Sequence, residues 1–315
     1  DFQVDLPPTP RLDDAGEFEA GLLAVLAGQA EDDALNRLVL AAGLHGRQVL
    51  CLRMLARYVN QIGMPYGRTD IERIVAVHPT SAAGIVARFE ARFDPAIPAD
   101  TRAAREAEAQ LALEAALEAV QSLDADRILR ALAAVVCAGL RTNFYCRDAN
   151  GEALPRLSLK LDPQQIAELP QPRPMFEIWV HAPDFEGVHL RGGRVARGGL
   201  RWSDRREDFR TEVLGLMKAQ QVKNAVIVPV GAKGGFVVKR GPPPAQREAW
   251  MASGVACYRE FLRGLLDLTD NRVGDAIVAP PQVVRHDDDD PYLVVAADKG
   301  TATFSDIANG IAEDY

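Results

Sequence analysis

Apolar side chains recur at helical spacing from Glu17 to about Cys146: Leu22, Leu23, Val25 and Leu26, then Leu50, Leu52, Leu55 and Val59, then Ile128, Leu129, Leu132 and Val135. Such a stripe gives each helix one face to bury against its neighbours. Thr101 to Leu140 is rich in Ala, Leu and Glu, strong helix formers, and reads as a long helix with one break near Asp124. Thr69-Asp70-Ile71-Glu72 and Thr80-Ser81 follow loops and carry capping side chains, which marks two helix starts.

The period changes after the turn cluster Asp148-Ala149-Asn150-Gly151. Leu157, Leu159 and Leu161 alternate with Ser158 and Lys160, and Phe176 to Val180 alternates in the same way, as strands do. Pro163, Pro170, Pro172 and Pro174 punctuate the link between them. Glu207 to Val222 reads as an amphipathic helix with Val213, Leu214 and Met217 on one side. Asn224 to Val228 follows as an apolar run of the kind buried on both faces of a sheet. Beyond a glycine-rich turn come a short strand (Phe236 to Val238), a helix from about Gln246 to Leu268, and a second buried strand, Leu293 to Ala297. The pattern therefore predicts an α+β/α/β protein: an all-helical domain over 1–147 and an α/β domain over 148–315.

A length of 315 residues agrees with about two domains, and 48% hydrophobic with 25% charged residues excludes bulk disorder. The net charge of −8 argues against polyanionic partners, yet Arg191 to Arg240 holds twelve Lys and Arg against four acids. Those cations alternate with apolar and glycine residues, and Asp204, Glu207 and Asp208 interrupt them, so nucleic acid is not the expected partner. The four cysteines are widely spaced without a CxxC pair, which points to a reducing cytoplasm rather than to zinc or a disulfide framework. The five histidines show no ligand spacing, and His286-Asp287-Asp288-Asp289-Asp290 reads as a solvated loop, so no metal is expected. No apolar run reaches the roughly 18 to 20 residues that span a bilayer, so no membrane partner is expected either. Starting at Asp1 and stopping at Tyr315 within a helical pattern, the chain reads as an excised piece of something longer.

Ligands of open α/β sheets bind beyond the carboxyl ends of the strands, and two ionisable residues are expected there. Lys233 lies in Gly231-Ala232-Lys233-Gly234-Gly235, after a strand ending near Val230, and Asp298 directly follows Leu293 to Ala297. If both strands are parallel in one sheet, lysine and carboxylate meet at one edge. A tight turn with a solvent-facing lysine describes Lys233 equally well, and a carboxylate ahead of Lys299-Gly300-Thr301 is more often a turn or helix cap than a catalytic acid. Gln220 and Lys223 are three apart on one helix face, where Lys223 serves either an anion or the helix dipole. Arg191 to Ser203 threads two Gly-Gly pairs with arginines, a composition suited to carboxylate recognition. It is neither a GxxxxGK[ST] loop nor a GxGxxG before a helix, which disfavours nucleotide binding in this segment.

Taken together, these segments resemble the amino-acid dehydrogenase superfamily, and specifically the large NAD-dependent glutamate dehydrogenases of bacteria. Arg197-Gly198-Gly199-Leu200-Arg201-Trp202-Ser203 is similar to the superfamily's glycine-rich substrate motif, Gln220 to Gly235 to its lysine segment, and Ala297-Asp298 to its catalytic aspartate. Leu140 to Tyr145, Arg201 to Arg210 and Leu265 to Asn271 resemble the large-enzyme type. The resemblance implies that residues 148–315 are the substrate-binding part of the catalytic domain, with the Rossmann domain and its NAD site beyond Tyr315. It implies oxidative deamination of L-glutamate to 2-oxoglutarate and ammonium, with Lys233 and Asp298 catalytic. Lys223 and Gln220 would hold the α-carboxylate beside Gly198 and Gly199. Arg197 stands where the family usually has a lysine for the side-chain carboxylate. A cytoplasmic homo-oligomer is the expected full-length form. A ligand-sensing or oligomerisation module with a carboxylate pocket is the competing reading, and only the enzyme needs Lys233 and Asp298 to meet around one substrate atom.

Overall fold

The computed structural model describes residues 15–224 and 230–315, except the side chains of residues 15 and 221–224. The chain clusters into two units, one running up to Asn60 and resuming over Met64–Cys137, the other taking Gln61–Gly63 and Ala138–Tyr315.

The first unit is helical: α1 (Ala15–Leu26), α2 (Leu38–Ala42), α3 (Gly46–Gln61), α4 (Arg68–Val77), α5 (Pro79–Phe93), α6 (Ala99–Glu118) and α7 (Leu123–Cys137). α3 is buried almost all round, through Leu52, Met54, Leu55, Tyr58 and Val59. α5 contributes Ile85, Phe89 and Phe93, and α7 contributes Ile128, Leu129, Leu132 and Val135. Each such side chain is worth about 1.5–3 kcal/mol when fully removed from water, so these stripes hold the unit together. The long alanine-rich helix does break, between Glu118 and Leu123, and Ser122 Oγ accepts from the Ala125 amide at 3.4 Å to start α7.

Helix gives way to strand earlier than the periodicity suggests. β1 (Gly139–Thr142) lies within the stretch read as helical and pairs antiparallel with β2 (Leu157–Leu161). Arg141 explains the change: its buried guanidinium reaches Asp270 at 2.8 Å and Asp287 at 2.6 Å, partners that only the sheet brings within range. The second unit continues with β3 (Phe176–His181), β4 (Phe185–Arg191), β5 (Arg197–Trp202), α8 (Phe209–Asn224), β6 (Ala232–Val238), α9 (Arg247–Leu266), the hairpin β7 (Asn271–Val273) and β8 (Ala276–Val278), β9 (Val294–Ala297) and α10 (Ser305–Ala312).

Seven of these strands form one mixed sheet in the order β1-β2-β3-β4-β6-β5-β9. Pairing is antiparallel from β1 to β6 and parallel across β6, β5 and β9. Alternation sends Trp179 to one face, where Phe209 of α8 stacks on it at 5.6 Å, and Val180 to the other, where it joins Phe261 and Leu265 of α9. The helical region followed by a mixed α/β sheet is thus the architecture of the chain. β9 is not buried as expected: it forms the sheet edge, and Val294 is 40% exposed. The apolar run 224–228, read as a strand, lies outside the described residues save Asn224, which ends α8. Among the described residues no helix is long and apolar enough to cross a membrane.

Candidate active site

Lys233 is not in a turn after a strand, as its glycine-rich surroundings suggest, but is the second residue of β6. Asp298 directly follows β9, so the two residues stand at opposite ends of parallel strands. β5, which runs between them, brings them together. Leu200 pairs with Gly234 on one side and with Ala297 on the other, so Lys233 and Asp298 flank the segment Gly199 to Arg201. Lys233 Nζ donates to Asp298 Oδ2 at 2.7 Å.

The two glycines of β5 leave room for this contact. A Cβ on Gly199 would lie 2.7 Å from the Ala297 carbonyl oxygen, 2.8 Å from Asp298 Cβ and 3.1 Å from Asp298 Oδ2. A Cβ on Gly198 would lie 1.6 Å from the Ala232 carbonyl oxygen and 3.3 Å from Gln220 Oε1. Only glycine lets β5 pass this close to both neighbours.

Asp298 is held at every polar atom it offers. Its Oδ1 accepts from Arg201 Nε at 3.2 Å, Arg201 Nη2 at 3.0 Å and the Lys299 amide at 2.6 Å. Its own amide donates to Thr301 Oγ1 at 3.0 Å, and that hydroxyl donates to the Leu200 carbonyl at 2.6 Å, tying the turn to β5. Burial pushes the Asp298 carboxyl up, but the Lys233 ammonium, the Lys299 amide and Arg201 outweigh it and draw the group down to about 2. The carboxylate is therefore charged at neutral pH, inside a cluster only 12% to 19% exposed at its side chains.

The remaining residues singled out in the sequence are placed less uniformly. Gln220 lies near Gly198 and donates its Nε2 to the Arg197 carbonyl at 3.1 Å, while its Oε1 is buried without a hydrogen-bond partner among the described residues. Arg197 begins β5 with its side chain exposed. The Lys223 side chain lies outside the described residues. The sequence pattern marks Arg201 only as one of the arginines of a carboxylate-recognising segment and does not single out Glu212: Arg201 Nη1 donates to Glu212 Oε1 at 2.8 Å, and Ser203 Oγ donates to Glu212 Oε2 at 2.6 Å. The available signal was alternation, since Gly199 and Arg201 are two apart on a strand and so face the same way.

The acidic run is no solvated loop. Asp287 and Asp290 take the buried Lys160 ammonium at 2.5 and 2.6 Å, and Asp290 also pairs with Arg191. Arg194 pairs with Asp288, Arg210 with Glu177 at 2.7 Å and Lys239 with Glu186 at 3.3 Å, so acids from distant segments cover much of the basic island. Neither glycine segment has the form that cradles a dinucleotide: Gly198 and Gly199 lie within β5, and Gly234 and Gly235 within β6, not at a helix N-terminus.

Residues 112–315 match the family model for the bacterial NAD-glutamate dehydrogenase catalytic domain, and residues 30–95 match glutamate dehydrogenase helical motif 3. The chain is 54% identical over 323 residues to the NAD-specific glutamate dehydrogenase of Mycobacterium tuberculosis, an overlap covering 99% of this chain and 20% of the relative. Against the NAD-specific glutamate dehydrogenase of Pseudomonas aeruginosa it is 55% identical over 293 residues, 92% of this chain and 18% of the relative. Glutamate dehydrogenase 2 of Dictyostelium discoideum is 26% identical over 185 residues, 56% of this chain and 16% of the relative. The chain spans about a fifth of the length of the bacterial relatives, and by the match of residues 112–315 to the catalytic domain it belongs to the bacterial NAD-glutamate dehydrogenase family.

Proposed function

We propose that this chain supplies the substrate-binding and catalytic lysine-aspartate half of an enzyme that oxidatively deaminates L-glutamate to 2-oxoglutarate and ammonium with NAD. The observation that carries this reading is the 2.7 Å contact between Lys233 and Asp298, framed by Gly198 and Gly199. Residues 148–315 would form a substrate-binding domain of the amino-acid dehydrogenase type, a reading supported by the order of the motifs along β5, β6 and β9.

Glutamate brings two carboxylates and one ammonium. Lys223 with Gln220 would take the α-carboxylate, and Arg197 the side-chain carboxylate, whose planar form suits a guanidinium. The substrate ammonium then approaches Asp298, which already holds the Lys233 ammonium. Lys233, held beside the same carboxylate, is placed to activate the water that attacks the imine. Asp298 carries protons to and from the amino nitrogen as the imine is hydrated and ammonia leaves. Both glycine pairs lie within strands and offer no dinucleotide cradle, so NAD, which would supply the hydride acceptor, would be held by other parts of the enzyme.

Lys233→Ala in the full-length enzyme tests the reading. It should abolish glutamate oxidation, by about a thousandfold or more, while NAD binding measured by fluorescence titration stays nearly unchanged. Near-normal turnover in that variant would sink the proposal.

A further inference from the structure

Arg201 directs two donors, Nε and Nη2, at Oδ1 of Asp298 and a third, Nη1, at Glu212, whose other oxygen accepts from Ser203. Asp298 Oδ1 is thereby fixed from β5 and from its own turn, while Oδ2 is left to Lys233. Glu212 lies in the first turn of α8, which the Phe209 stack on Trp179 anchors to the sheet. The fork is thus tied to two elements, not to one flexible side chain. Arg201 touches no substrate atom in the scheme above, and its effect would pass through the carboxylate it holds.

We propose that Arg201, braced by Glu212, is a positioning residue that fixes the plane of the Asp298 carboxylate, so that the carboxylate stays in place when Lys233 exchanges its proton. The inference rests on the catalytic reading of Lys233 and Asp298. Without Arg201 the carboxylate would keep only Lys233 on Oδ2 and the Lys299 amide of its own turn on Oδ1, with nothing from β5 to hold it against the motion of that turn. An arginine suits this task because its two donors fix an orientation, whereas an ammonium supplies only a point charge. The charged groups facing Asp298 among the described residues are Arg201 on β5 and Lys233 on β6, with Glu212 of α8 reaching it through Arg201.

Steady-state kinetics of the full-length enzyme across pH test this. Removing a cation from such a cluster raises the midpoint at which neighbouring acids protonate, and removing an anion lowers it. Arg201→Gln should lower kcat by about tenfold to a hundredfold, leave the glutamate KM within about threefold, and move the acid limb of the kcat profile to higher pH. Arg201→Lys should return the limb to its wild-type position while kcat stays about fivefold low, because charge is restored without the fork. Glu212→Gln keeps the shape of its side chain and tests the same cluster if Arg201→Gln does not fold; it should lower kcat severalfold and move the limb to lower pH.

A folded Arg201→Gln enzyme with kcat within about twofold of wild type would overturn the inference. So would lost activity with an unmoved limb in both Arg201→Gln and Glu212→Gln, which is what a purely structural role gives. Lys233→Ala measured in parallel separates the failures. If it is inactive and Arg201→Gln is normal, only the positioning role falls; if it turns over normally, the catalytic reading falls as well.

Discussion

Gly199→Ala puts a single methyl group where β5 separates Lys233 from Asp298. The added carbon would stand 2.7 Å from the Ala297 oxygen and 2.8 Å from Asp298 Cβ, whereas ordinary contact begins at 3.4 Å. Something must therefore move by about 0.6–0.7 Å. β5 cannot slide away, because it is hydrogen-bonded to β6 on one side and to β9 on the other. The remaining response is for β9 and its following turn to move outward, which stretches the 2.7 Å bond between Lys233 and Asp298. Overpacking of this size costs about 1–3 kcal/mol of stability. Misplacing reacting groups by about an ångström costs up to a hundredfold in rate, so a shift of this size should lower kcat by about ten- to fiftyfold. The assay is glutamate-dependent NAD reduction by the purified full-length variant, with urea denaturation to confirm that it remains folded. A variant with wild-type kcat and unchanged stability would refute the argument that glycine is required for the close approach.

Three further outcomes follow from the same geometry. Arg197→Ala should raise the glutamate KM about tenfold and change kcat less than threefold, since an exposed group that binds the side-chain carboxylate contributes uniformly to ground and transition states; an unchanged KM would remove Arg197 from the site. Asp290→Asn strips one carboxylate from the buried cations Lys160 and Arg191 and should cost about 3–5 kcal/mol in urea denaturation with an unchanged slope, whereas a loss below about 1 kcal/mol would show that the cluster is screened. Burial raises the Asp290 carboxyl, but Arg191 and Lys160 outweigh it and hold it below the ordinary carboxylate value. Its stabilisation is therefore present above the unfolded value near about 3.9 and lost as pH falls through the lower folded value. Stability measured from neutral pH downward should fall in that acid window, less steeply in Asp290→Asn, and equal slopes would contradict the assignment.

Much of this was legible in the chain. Helical periodicity located the helical region because its stripes are local signals, and the break in the alanine-rich segment fell within a few residues of Asp124. Lys233 and Asp298 were expected to meet and do, yet the route differs. Glycines argue against a strand, so Gly234 and Gly235 read as a turn; they lie within β6 because Leu200 and Val213 press so closely that a Cβ would come within 2.3 and 2.7 Å of them. β1 was hidden because the partners that hold Arg141 in the sheet, Asp270 and Asp287, are 129 and 146 residues away. Distance in sequence likewise concealed the role of Asp287 and Asp290, whose cations come from β2 and β4. β9 reads as buried from its apolar residues alone, whereas sheet order makes it an edge. Local patterns set the elements, and the ion pairs that select their register are long-range.

The claim on which the rest depends is that Lys233 and Asp298 address one substrate atom. A crystal structure of the full-length enzyme with 2-oxoglutarate measures this directly. The keto carbon should lie within reach of both Lys233 Nζ and Asp298, beside their 2.7 Å contact, with the α-carboxylate toward Gln220 and Lys223 and the distal carboxylate toward Arg197. A keto acid bound away from Lys233, or bound there with Asp298 turned elsewhere, would contradict it.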